Sequence, residues 1–132
     1  MNLLLIAVGG ALGSVSRFLL SDFITKFVRE SNVALTKFPW ATLGINVIGS
    51  ILAGILYYFL IRNFNNINPN LKSFALIGFL GGFTTFSTFS LDFFRLITAG
   101  QHIYAVTYAV ISMILAIIAV FFGFYLMKIF FS

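Results

Sequence analysis

Four apolar stretches, each long enough to cross a bilayer, leave this 132-residue chain little choice of architecture. The first runs from about Leu3 to Phe23 and the second from about Pro39 to Ile61. The third covers about Ser73 to Thr98, and the fourth about Ile103 to Met127. Roughly 20 apolar residues suffice to cross the hydrocarbon core as a helix. The expected fold is therefore all-α and integral to a membrane, with four transmembrane helices and no soluble domain. Charged residues make up 8% of the chain, against about 25% in a soluble domain. The first stretch does not read as a signal peptide: no basic segment precedes it, Arg17 falls inside it, and Gly9, Gly10 and Gly13 suit helix packing.

The absence of cysteine excludes disulfides and thiolate chemistry. The single histidine, His102, falls in a short turn with Ala99, Gly100 and Gln101 and reads as solvated rather than metal-bound. A net charge of +5 comes from basic residues flanking the spans. They meet lipid headgroups, so membrane lipid, not nucleic acid, is the expected partner.

With four spans, both termini share a side with the second loop, read from Arg62 to Lys72. That side carries Arg62, Lys72 and Lys128; the other carries Lys26, Arg29, Lys37 and Arg95. Three against four gives the positive-inside rule almost nothing to act on. Either a fixed orientation is masked by weak statistics, or the chain inserts both ways and pairs head-to-tail. Four short spans can barely enclose a pore and still fill their own core, so a homo-oligomer is expected. Small residues four apart (Gly9 and Gly13, Ser50 and Gly54, Gly78 and Gly82) suit close helix contact, and ordinary packing is the plainer reading of each pair.

Residues 78 to 89, Gly-Phe-Leu-Gly-Gly-Phe-Thr-Thr-Phe-Ser-Thr-Phe, lie inside the third stretch. Glycine loosens a helix, and Thr and Ser satisfy carbonyls that a break sets free. Irregular backbone at membrane depth is tolerated only where protein buries it or a cavity passes it. A break from Gly81 to Thr84 is expected, with the helix restarting at Phe86. Phe86, Phe89 and Phe93 then share one face. A phenyl ring has a positive edge, which attracts a small anion without a full charge that would hold it too tightly. Most of the 18 phenylalanines must simply meet lipid. Thr84, Thr85, Ser87 and Thr88 supply hydroxyls, some to satisfy carbonyls freed at the break and others to face a pathway.

Asn46, Ser50 and Gly54 share a face of the second span. A buried amide must be paired, and Asn46 fits two roles equally, interhelical glue or a donor on an ionic path. In the fourth span Tyr108 and Ser112 lie four apart, with Tyr104 a turn earlier at the membrane edge, where anchoring is the readier role. Arg17 reads first as a residue snorkelling to the headgroups and second as a vestibule cation. No carboxylate lies deep in the first, second or fourth stretch, and Asp92 stands near the end of the third, three residues from Arg95. No cluster of nucleophile, base or metal ligands points to an enzyme.

Three motifs carry a family resemblance over the whole chain. They are Gly9 to Gly13 with Arg17-Phe18, Thr42 to Ser50, and Gly78 to Phe89. Together they resemble the Fluc fluoride channels, also called the CrcB family. The resemblance implies an antiparallel, dual-topology homodimer with two fluoride pores. It implies ring-edge contact of Phe86 and Phe89 with fluoride, and a hydrogen bond from Asn46. It implies a polar track formed by Ser87 or Thr88 with Tyr108 and Ser112. Gly81 and Thr84 match the break whose backbone carbonyls, from both subunits, hold a central structural sodium ion.

The expected function is passive, fluoride-selective export across the cytoplasmic membrane of a bacterium, giving fluoride resistance. The competing reading is a proton-coupled exporter of the small multidrug-resistance type. That reading calls for a deep glutamate in the first span, which has none. A third reading is a non-transporting membrane subunit in which every polar residue is glue.

Overall fold

The computed structural model describes residues 2–62 and 67–131. Residues 63–66 of the expected second loop fall outside them. All regular structure among the described residues is helical. Four helical segments, Leu3–Ser31, Trp40–Arg62, Pro69–Thr98 and His102–Phe130, are long and apolar enough to cross a membrane.

Helix α1 spans Leu3–Ser31. It continues well past Phe23, where the apolar stretch ends, because its last turns are amphipathic rather than unstructured. Lys26 pairs with Asp22 one turn back at 2.7 Å, and Arg29 sits at the negative end of the helix dipole. A tight helical turn, Val33–Lys37, leads to α2, Trp40–Arg62. The third segment is composite. It comprises α3 (Pro69–Lys72), a π-helical stretch (Ser73–Leu80), α4 (Gly81–Phe83) and α5 (Phe86–Thr98). Helix α6, His102–Phe130, closes the chain. His102 is thus the first residue of α6 rather than part of the preceding turn.

That turn is held by the backbone. The Gln101 N–H reaches the Leu96 carbonyl at 2.8 Å and the Gly100 N–H reaches Ile97 at 3.0 Å. This paired closure requires a left-handed residue, and Gly100 supplies it with φ 73°.

The helices associate in two close pairs. Helix α1 lies along the π stretch and α4, and a Cβ on Gly13 would overlap the Phe79 carbonyl oxygen. Helix α2 lies along α6, and a Cβ on Gly54 would overlap the Val120 carbonyl oxygen. Backbone-to-backbone approach of this kind is how membrane helices gain packing contact when lipid offers no hydrophobic advantage. Phe38 meets Tyr108 at one end of the α2–α6 pair, and Tyr58 bonds the Phe131 carbonyl at the other. The two helices therefore run in the same direction.

Between α2, α5 and α6 a small core gathers Leu43, Leu96, Ala105 and Tyr108, with Phe89 and Phe93 against it. Much of the remaining apolar surface is exposed on the single chain. Phe18, Phe86, Ile103 and Ile129 are 70–83% exposed. That distribution suits a chain bathed in lipid.

The expected break from Gly81 to Thr84 needs correction in its placement. Gly81 is helical, with φ −62° and ψ −36°. The extended residues are Thr84 (φ −80°, ψ 157°) and Thr85 (φ −151°, ψ 115°). The glycines serve close approach instead: Gly82 faces the Gly10 backbone and Gly78 faces Ile6 and Gly9. The threonines have hydroxyls that can replace lost helical bonds, so the departure from helix falls on them.

Candidate functional site

Thr85 is the pivot of the site. It is buried at 8% exposure, and an extended residue buried beside helices must find partners for its backbone. Asn46 on α2 supplies both. Its Nδ2 donates to the Thr85 carbonyl at 3.1 Å, and its Oδ1 accepts from the Thr85 N–H at 2.9 Å. The Thr85 hydroxyl oxygen in turn caps α5 by accepting from the Thr88 N–H at 3.1 Å. That hydroxyl donates to the Thr88 Oγ1 at 2.9 Å and lies 3.4 Å from the Ser87 Oγ. One step earlier, the N–H and the hydroxyl of Thr84 both donate to the Leu80 carbonyl, each at 2.9 Å.

These bonds have a consequence for two carbonyls. In a continuous α-helix the Gly81 carbonyl would accept from the Thr85 N–H, and the Thr84 carbonyl from the Thr88 N–H. Here the first donor is taken by Asn46 and the second by the Thr85 hydroxyl. Both carbonyls thus lose their helical donors. Gly81 is also exposed on the single chain. A Cβ added there meets nothing nearer than the Leu76 carbonyl oxygen at 4.0 Å.

Beside Thr85 opens a cleft of about 390 Å³. Asn46, Thr84, Phe86, Phe89 and Ser112 line it, with Ser50 and Gly49 along the α2 wall. The Phe86 and Phe89 ring centroids are 5.5 Å apart, and the Phe89 ring lies 5.1 Å from that of Tyr108. Phe86 is 79% exposed whereas Tyr108 is fully buried. The rings thus lead from the open face inward. The Ser112 Oγ and the Tyr108 hydroxyl, one turn apart on α6, are both buried; the Ser112 hydroxyl has no hydrogen-bond partner among the described residues, whereas the Tyr108 hydroxyl lies within reach of Thr42 and Asp92. Buried hydroxyls are almost always partnered, so the unpartnered Ser112 hydroxyl in the cleft lining marks a place for an acceptor from outside the chain.

Beyond Tyr108, on the side away from the cleft, stands Asp92. Its carboxylate is only 13% exposed, accepts a 2.6 Å hydrogen bond from the Thr42 hydroxyl on α2, and stands 3.7 Å from Arg95. Tyr108 lies close enough to feel that charge. A cavity of about 370 Å³ next to it is lined by Lys37, Arg95, Asp92 and Gln101.

Of the residues singled out from sequence, the cleft gathers Asn46, Thr84, Phe86, Phe89 and Ser112, and Tyr108 adjoins it through Phe89. Ser87 and Thr88 do not line it; their hydroxyls turn to Thr85. Gly81 and Arg17 also lie outside its lining. Tyr104 is 46% exposed near the start of α6. Sequence reasoning missed the Thr85 pivot and the Thr42–Asp92 pair. The available signal for the pair was a carboxylate inside an apolar span whose local partner, Arg95, leaves acceptor capacity for a hydroxyl from another helix. Among the described residues no group of three or more His, Cys, Asp or Glu could hold a metal ion.

Comparison with known proteins adds a family. The family model described as "CrcB-like protein, Camphor Resistance (CrcB)" matches residues 4–124. Curated relatives named "Fluoride-specific ion channel FluC" align over nearly the whole chain. The relative from Hahella chejuensis (strain KCTC 2396) is 41% identical over 119 residues, covering 90% of this chain and 88% of its own. The one from Rhizobium meliloti (strain 1021) is 40% identical over 127 residues, covering 96% of each chain.

Proposed function

The chain belongs to the CrcB family, and on that premise we propose that it is a multi-pass membrane channel that passes fluoride down its electrochemical gradient. One observation carries the reading: the unpartnered, buried Ser112 hydroxyl in a cleft walled by Phe86 and Phe89, whose rings lead on to the buried Tyr108. Donor protons and ring edges, with no fixed cation in the cleft lining, suit a small anion that must bind weakly enough to leave. The relatives' names point the same way, whereas the camphor resistance in the family description has no counterpart in these polar groups. Proton-coupled multidrug export is not favoured, because the cleft lining holds no titratable carboxylate that could exchange a proton for a substrate.

In this reading fluoride enters between Phe86 and Asn46, passes Phe89, and meets the hydroxyls of Ser112 and Tyr108. Ser87 and Thr88 act through Thr85, holding the start of α5 rather than touching the ion. Arg17, outside the cleft lining, is assigned to the headgroups rather than to the ion. Residues 69–98 form one span interrupted at Thr84 and Thr85. Two copies pair antiparallel and so give two pores.

A structural sodium ion fits the freed carbonyls. Gly81 and Thr84 each offer a neutral oxygen without its helical donor, and hard cations take oxygen ligands. One chain offers too few, so a second copy must bring its own pair, and the exposed Gly81 is where it would approach. Held there, sodium would contribute a positive charge shared by two chains. Gly81→Ala tests this. The added methyl makes only an ordinary van der Waals contact within the chain, with the Leu76 carbonyl oxygen, and alanine favours a helix over glycine by about 1 kcal/mol. The single chain therefore keeps its fold, while cross-linking is expected to show that dimer formation falls and its dependence on sodium disappears. An unchanged, sodium-dependent dimer refutes the site.

Efflux from liposomes, followed with a fluoride electrode and repeated with chloride, tests the function itself. Rapid fluoride release without a proton gradient, with chloride retained, is expected. Release that requires a proton gradient returns the exporter, and no release leaves only a structural subunit.

A further inference from the structure

At the opposite end of the α2–α6 pair lies a second cleft, of about 330 Å³, formed by Tyr58, Ile61, Arg62, Phe124, Lys128 and Phe131. It shares no residue with the fluoride cleft. Its cations come from the last turns of two helices that run in the same direction. Helix dipoles favour a basic residue at each terminus, which accounts for one cation per helix. They do not account for the convergence of both on one cavity, where like charges repel. Among the described residues the ion pairs join Lys26 to Asp22 and Arg95 to Asp92, and neither Arg62 nor Lys128 has a carboxylate partner.

Arg62 is held in place. Its Nη1 donates to the Tyr58 hydroxyl at 2.7 Å, and that hydroxyl donates to the Phe131 carbonyl at 3.2 Å. Tyr58 is buried, so this relay ties the end of α2 to the end of α6 and fixes the guanidinium at the cleft. A guanidinium carries five N–H donors, and this bond uses one. Lys128 stands 5.7 Å from the centre of the Tyr125 ring.

We propose that this cleft binds the phosphate of an anionic membrane lipid, with the Arg62 fork and the Lys128 ammonium on the phosphodiester oxygens. Arginine matches phosphate geometry with paired hydrogen bonds, while lysine adds a point charge. A lipid is favoured over free phosphate by what borders the cleft. Ile61 and Tyr57 on α2, and Phe121 and Tyr125 on α6, are all more than half exposed. They give acyl chains an apolar wall continuous with the charged corner. Basic pockets between membrane helices are known places for lipid headgroups.

The test uses the full chain in detergent, titrated with phosphatidylglycerol or with phosphatidylcholine of the same acyl chains, and counts bound lipid by native mass spectrometry. Phosphatidylglycerol is expected to bind roughly tenfold more tightly. An Arg62→Gln/Lys128→Gln variant should lose that preference, whereas Arg29→Gln/Lys72→Gln, which removes two cations outside the cleft, should keep it. Equal loss in both variants means general surface charge and overturns the site, as does no loss in either. Tyr58→Phe leaves the charge unchanged and frees Arg62, so a partial loss is expected; full retention removes the relay from the argument for a built site and counts against it. Inorganic phosphate should not displace the lipid, and displacement overturns the lipid as occupant. Because the readout is lipid bound, the result stands whether or not the protein conducts fluoride.

Discussion

Phe86→Ile and Phe89→Ile each suppress fluoride efflux from reconstituted liposomes while the protein remains folded and assembled. Isoleucine keeps the apolar bulk and removes the ring, and with it the positive edge. Taking the scale of aromatic pair contacts, about 0.5–1.5 kcal/mol, each ring is worth roughly two- to tenfold in occupancy, and the losses compound when both rings are replaced. The two positions differ as tests. Phe86 is 79% exposed on the single chain, so its replacement costs the fold little. Phe89 packs on Tyr108 at 5.1 Å and against the small core, and its replacement is expected to lower stability by about 1 kcal/mol. Phe86→Ile is therefore the cleaner measurement. Normal efflux from both variants, with chloride still excluded, would remove the rings from the path.

Asn46 separates two roles that sequence left equal. Asn46→Ala strips both partners from the buried Thr85 backbone, at about 1–3 kcal/mol for each orphaned group. It also releases the Thr85 N–H, which can return to the Gly81 carbonyl. Conduction should fall, and sodium dependence of the dimer should fall with it. Asn46→Asp keeps an acceptor for the Thr85 N–H, so the Gly81 carbonyl stays free and sodium dependence should persist. Yet it places a negative charge in the cleft wall. At about 4 Å and an effective dielectric near 20, that charge repels fluoride by about 4 kcal/mol, roughly a thousandfold in occupancy. Efflux and sodium-dependent cross-linking, measured on both variants, decide the matter. If both variants conduct like the parent, Asn46 is neither a clamp that matters to the path nor a wall of it.

The spans were legible because an apolar run of bilayer length has few other fates. The end of α1 was not, since Lys26, Arg29 and Glu30 look like loop residues until their helical spacing from Asp22 is considered. Within residues 78–89 both glycines and threonines stood out, and their separate tasks did not. Loosening and close approach are alike in composition, and only the neighbouring backbone of α1 shows which applies. Asn46, Phe86, Phe89 and Ser112 could be chosen from residue type and helical face. The bond from Thr42 to Asp92 could not, because fifty residues of chain separate the partners and no periodicity links them. The same holds for Tyr58 and Phe131, joined across the ends of α2 and α6.

The glycine contact between α2 and α6 also acts at a distance. Asn46 and Ser112 face the cleft from these two helices, and Gly54, further along α2, sets how near its neighbour can come. Each side-chain carbon added at Gly54 would lever the helices apart and widen the cleft without altering one lining residue. If fluoride passes this cleft as proposed, ion discrimination becomes a matter of mechanical tolerance, kept by a residue outside the cleft lining.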